Sequence, residues 1–202
     1  MTDDAALQPI VASEYLALAD VMAAAGEADW NASSLCEGWR VREVIAHLTM
    51  AARYDQATFM AELQARDLDF GRLSNEIAAQ DAELPTAELV ANLRADTLLH
   101  WAPRGSYHDA LNHVVIHGLD AMVPLGDRRY PPAETLRIVL DDLTAGGIHE
   151  HFGTSIVGRR LETTDLDWSY GSGPVLRGKA GDLALALCGR AVPPGRLEGD
   201  SL

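Results

Sequence analysis

The chain reads as mostly α: an antiparallel four-helix bundle followed by a small αβ C-terminal extension. Three observations predict this. Apolar residues recur at three- and four-residue spacings up to His151, which is the period of a helix with one buried face. Caps and Pro or Gly stops punctuate those stripes. Beyond His151 the texture changes to short, partly alternating stretches between glycines. The expected division is therefore a helical domain over 1–151 and an αβ piece over 152–202.

The first stripe, from Asp3 to Gly26, carries Leu7, Ile10, Val11, Tyr15, Leu18 and Val21 and stops at the glycine. Ala28 to Gly38 reads as a loop packed down by Trp30, Leu35 and Trp39. A second helix is expected from Val41 through Leu63, with Val44, Ile45, Leu48, Ala51, Ala52 and Phe59 on its apolar face. Asp67 to Asp81 suggests a short helix. Thr86 reads as the cap of another that carries Leu89, Leu93, Thr97 and Trp101, broken by Pro103-Arg-Gly-Ser106. Ser106 with Asp109 resembles a capping box, opening a helix that ends near Pro124-Leu-Gly126. Pro131-Pro132 opens one more, running towards Gly146-Gly147. The reading is four main antiparallel helices with a fifth alongside. Two strands (155–163 and 174–178), a turn-rich link between them and a short helix over 181–190 complete the chain, with a Pro/Gly-rich tail.

Composition narrows the function. The chain has 202 residues, 48% of them apolar and 23% charged, ordinary values for a globular domain. Thirty acidic residues against sixteen basic give a formal charge of -14, which repels phosphate backbones and argues against nucleic acid as a partner. No apolar run reaches the roughly eighteen residues of a membrane span, and the Met1-Thr-Asp-Asp4 start lacks the basic residues of a signal peptide. Two cysteines, Cys36 and Cys188, make no disulfide framework, so a cytoplasmic location is expected. Both read as small apolar residues; Cys36 also precedes a helix start, where a thiolate can be stabilised.

Among seven histidines, His113 and His117 are the informative pair. A four-residue offset leaves two helical side chains about 40° apart, one turn along the same face. Imidazoles so placed can reach one metal ion, and a divalent cation wants a third ligand from elsewhere. His47, on the apolar face of the second helix, is that candidate. The structural alternative is a set of half-buried imidazoles hydrogen-bonded to backbone or carboxylates. His149-Glu-His151 can chelate in principle, but both rings cannot face one way on a helix, and a solvated helix end is the simpler reading. His100 and His108 flank a loop and read as surface residues.

The order of these motifs carries a resemblance. Cys36-Glu-Gly-Trp-Arg-Val-Arg-Glu-Val-Ile-Ala-His47-Leu, followed by His113-Val-Val-Ile-His117-Gly-Leu-Asp120, resembles the signature of the DinB-like, mycothiol-dependent maleylpyruvate isomerase superfamily. Thr163-Thr-Asp-Leu-Asp-Trp168, Gly171-Ser-Gly-Pro174, Gly181-Asp-Leu-Ala and Cys188-Gly-Arg190 resemble the short C-terminal extension of its actinobacterial members. The isomerase proper carries Glu in the place of His113, whereas this chain has the all-histidine triad of the wider DinB-like group. The resemblance implies a divalent metal, zinc or nickel, held by His47, His113 and His117, and mycothiol as cosubstrate.

Three neutral imidazoles leave a coordination position open, and an open site on a borderline metal suits a thiol. The matching reaction class is thiol transfer to a small electrophile, or thiol-assisted isomerisation. Asp120 and Glu43 are candidates to orient the imidazoles from behind. Arg53, Arg94, Arg177 and Arg190 are candidate anion holders, Trp39 reads as a packing anchor, and no residue stands out as general base. Two other classes compete: a non-catalytic metal- or thiol-binding stress protein, and a helical scaffold with vestigial histidines. The partners expected are a small thiol and an electrophile, with no membrane and no nucleic acid; a homodimer is left open.

Overall fold

The computed structural model describes residues 3–145, 152–199 and 202. The chain divides into two compact units, 3–129 and 130–202. The division falls upstream of the expected boundary at residue 151, because the helix after Pro131-Pro132 packs with the C-terminal elements.

In the first unit, a 3-10 turn (Asp4–Leu7) leads into α1 (Gln8–Ala23). The expected loop contains one helical turn, α2 (Glu27–Trp30). The expected second helix, Val41 through Leu63, is three pieces: α3 (Val41–Leu48), α4 (Met50–Arg53) and α5 (Gln56–Gln64). Its breaks have local causes. The Thr49 hydroxyl donates back to the Ile45 and Ala46 carbonyls at 2.8 and 3.1 Å, a bond that competes with the helical ladder. Tyr54 is extended, and Asp55 caps α5 by accepting from the Thr58 amide. The "short helix" is α6 (Phe70–Asp81), capped by Asp69. The helix expected from Thr86 to Trp101 is α7 (Thr86–Leu93) and α8 (Asp96–Leu99), with Pro85 rather than Thr86 at the cap position. Ser106 does cap α9 (Tyr107–Met122), accepting from the Asp109 amide, while the Asp109 carboxylate turns to Arg104 instead of closing the box.

The bundle core is built where these stripes meet. α1 packs on α7 and α9, and α3 lies against α6 and α9. Val11, Tyr15, Leu18, Val44, Ile45, Leu89, Leu93, Leu111 and Val115 are fully buried, each worth on the order of 1.5–3 kcal/mol in the case of the larger aliphatic side chains. A satellite cluster of Met50, Leu73 and Ile77 holds α5 and α6 together through Tyr54, Phe59 and Leu63. Beside it, Arg53 donates to Asp81 at 2.8 Å and to the Ala46 carbonyl, and the Tyr54 hydroxyl donates to Asp81.

The second unit holds α10 (Ala133–Ala145), α11 (Ala180–Leu187) and a four-stranded sheet of order β2-β1-β3-β4. β1 (Arg160–Thr163) pairs parallel with β3 (Val175–Gly178) and antiparallel with β2 (Ser169–Gly171); β4 (Leu197–Glu198) closes the edge. β2 and β4 fall where a link and a tail were expected, being too short to show a period. Trp168 ties the sheet to α10 by donating to Asp141 at 2.7 Å. Asp165 accepts from the Ala180 amide at the start of α11, and Tyr130 accepts from that of Gly181.

Asp81 is nearly buried and holds two donors, so replacing it strands the Arg53 guanidinium. D81A is expected to cost about 3–5 kcal/mol in a urea denaturation series, and a loss under about 1 kcal/mol would contradict this role.

Candidate metal centre

The pair singled out by spacing, His113 and His117, comes together with His47 inside the first unit. α3 carries His47 on its last turn, with 7% of the residue exposed. α9 carries His113 and His117 on one face. The ring centroids of His47, His113 and His117 lie 4.8–5.0 Å apart, and one ring nitrogen from each falls within 4.8 Å of the others. Nε2 of His113 faces Nε2 of His47 at 3.1 Å.

The other sides of the rings are held differently. Nδ1 of His117 contacts the fully buried Asp120 carboxylate at 3.0 Å. Asp120 also accepts from the Cys36 thiol at 3.0 Å, and Cys36 Sγ is 3.7 Å from His117 Nδ1. Nδ1 of His47 meets the Ser74 hydroxyl of α6 at 3.1 Å. Nδ1 of His113 is buried without a hydrogen-bond partner among the described residues. Trp39 and Trp101 flank the cluster, their rings 5.2 Å from His47 and His113 respectively. Trp39 is further fixed by donating to Asn75 at 3.0 Å.

Burial, with a smaller contribution from neighbouring His117, pushes His113 down to about 3. It is therefore a neutral imidazole at physiological pH, the form that ligates a metal. Nitrogen donors within a few ångströms of one another, with outer partners on two of three rings, fit a divalent ion such as zinc. Cys36, His117 and Asp120 form a second group of close donor atoms sharing His117.

Other expectations fare less evenly. Glu43 does not back His47; it accepts from the Arg40 amide and guanidinium, closing the start of α3. Arg53 and Arg94 are engaged by Asp81 and Asp20, Arg177 by Glu162, and Arg190 donates to the Cys188 carbonyl. Cys188 is buried, as read. The Cys36 thiol donates to the Asp120 carboxylate. His100 is exposed and His108 half-buried, and His149 and His151 lie outside the described residues. Ser74 was missed altogether, since one serine on a separate helix gives no signal by spacing.

The His113 environment sets a pH dependence. Unfolded, this histidine titrates near its ordinary value of about 6.5; folded, it takes its proton only far below that. The unfolded state thus binds more protons in between, so stability is full above about 6.5 and falls as pH drops towards 3. Denaturant melts of metal-free protein should show this acid loss, and H113Q should flatten it; an unchanged profile in H113Q would refute the assignment.

Residues 11–102, just under half of the chain, match the family model of the mycothiol maleylpyruvate isomerase N-terminal domain; the match includes His47 and ends before His113. No curated protein matches the chain in sequence. A crystal structure of the mycothiol-dependent maleylpyruvate isomerase is similar, with TM-score 0.55 and 16% identity over 96% of this chain and 90% of that one. A crystal structure of a histidine-to-alanine mutant of the mycothiol-dependent isomerase gives TM-score 0.55 at 15% identity, over the same shares. Residues 11–102 are thus similar to the mycothiol maleylpyruvate isomerase N-terminal domain, and the chain shares the helical-bundle fold of the solved isomerase.

Proposed function

We propose that this protein is a metal-dependent enzyme that uses a low-molecular-weight thiol of the mycothiol type, for S-transfer to a small electrophile or thiol-assisted isomerisation. The observation that carries the reading is the convergence of His47, His113 and His117 nitrogens in a half-buried cluster. The similar crystal structures, described as mycothiol-dependent isomerases, support the thiol as cosubstrate. At their level of identity they support the fold and do not carry maleylpyruvate over as substrate. A cytoplasmic location is part of the proposal.

His47, His113 and His117 would hold a divalent ion, zinc in the first instance, as neutral imidazoles. Bound there, the ion would supply Lewis acidity that favours the thiolate form of a thiol in its open position. Asp120, 3.0 Å from Nδ1 of His117, would accept a hydrogen bond from that nitrogen and balance charge gained by the ring. Trp39 and Trp101 shield two sides of the cluster from water, which strengthens electrostatic interactions within it.

A second reading, binding of metal and thiol without turnover, is favoured by one observation. Asp120, the carboxylate in contact with His117, is already committed to that ring and to Cys36 and so is poorly placed as a general base.

The test is metal analysis followed by thiol consumption. Full-length protein purified with zinc should hold about one equivalent per chain and consume mycothiol against a panel of small electrophiles. H47A and H117A should lose both metal and turnover. Undiminished turnover in metal-free protein or in H117A would overturn the reading; stoichiometric thiol binding without consumption would replace it with the second.

A further inference from the structure

Each half of the cluster is backed by a contact on the far side of its ring. Ser74 meets Nδ1 of His47 at 3.1 Å, and Asp120 meets Nδ1 of His117 at 3.0 Å with the Cys36 thiol bonded to the same carboxylate oxygen. We propose that Ser74 and the Cys36–Asp120 pair are positioning residues that hold His47 and His117 as their Nδ1–H tautomers, turning both Nε2 lone pairs inward. This rests on the metal reading for its purpose, though its geometry stands without an ion.

Hydrogen-bond bookkeeping carries the argument. A neutral imidazole has one N–H and one lone pair, so fixing the proton on one nitrogen fixes the other as acceptor. A buried carboxylate is acceptor-only when ionised, so Nδ1 of His117 is the donor and its Nε2 is bare. The 3.1 Å contact between Nε2 of His47 and Nε2 of His113 has room for one proton. If His47 keeps its proton on Nδ1, donating to Ser74, then His113 donates across that contact and its own buried Nδ1 is a bare acceptor. The opposite choice would leave a buried Nδ1–H on His113 without an acceptor, the costlier defect. The arrangement with Ser74 as acceptor is therefore preferred in the metal-free protein; it presents His47 ready to ligate, and an ion bound to all three rings would shift the His113 proton from Nε2 to Nδ1.

Cys36 acts one step further out. Asp120 is fully buried, and its carboxylate must be aimed at His117. The thiol donor at 3.0 Å pins one carboxylate oxygen from the loop side, while the Leu35 amide bonds the Asp120 backbone carbonyl at 3.0 Å. The loop that leads into α3 is thereby stapled to the residue that orients His117.

The experiment is a long-range proton–nitrogen correlation spectrum of histidine-labelled full-length protein, metal-free, together with zinc titration against a competing chelator. Wild-type His47 and His117 should both show the Nδ1–H pattern. S74A should release His47, and D120A should release His117, to mixed or Nε2–H tautomers, each with a zinc affinity loss of about 10- to 100-fold. C36A should weaken zinc less than D120A, with C36S restoring it. D120N, which keeps an acceptor and the backbone bond, guards against misfolding: it should retain the His117 pattern. Nε2–H tautomers in the wild type, or S74A and D120A proteins unchanged in tautomer, would overturn the proposal. If the wild type shows the expected tautomers yet takes no zinc, the metal reading fails while the positioning stands.

Discussion

Three imidazoles packed at centroid separations near 5 Å in a half-buried site resist added positive charge, and each ring needs its N–H placed where something accepts it. That constraint organises the rest of the bundle. Bringing a charged ring into such surroundings costs several kcal/mol, and a second charge beside it adds repulsion. The structure meets the demand by burying His113, which holds that ring neutral, and by placing polar partners behind His117 and His47.

Asp120 is where fold and site are joined. Its backbone carbonyl receives the loop before α3, its side chain receives the thiol of that loop, and the same side chain faces His117. The break in the helix expected over Val41–Leu63 belongs to the same logic. Ending α3 at Leu48 lets α4 and α5 turn away so that α6 can lie against α3 and deliver Ser74 to His47. A straight helix would have presented His47 but left its outer nitrogen to find another partner.

How much of this was legible in the sequence follows from range. The helical stripes, the Ser106 cap and the His113/His117 pair are set by contacts within a turn or two, and the chain states them directly. The meeting of His47 with that pair is a long-range event, readable only because the motifs on either side resemble a known bundle. The interruptions at Thr49 and Asp55 were hidden, because side-chain bonds to local backbone defeated a continuous apolar stripe. Glu43 shows the converse: a carboxylate one turn from a histidine looks like its partner, yet the nearer Arg40 amide and guanidinium claim it. Ser74 and the Cys36–Asp120 contact depend on packing between segments, about which spacing is silent.

X-ray absorption at the zinc edge of zinc-loaded, thiol-free protein tests the central claim most directly, because two donor groups share His117 and only one can be the triad. The account predicts a first shell of light atoms at about 2.0–2.1 Å, with outer-shell scattering from three imidazoles. A sulfur neighbour at about 2.3 Å, or scattering from a single imidazole, would put the ion on Cys36 and contradict the account.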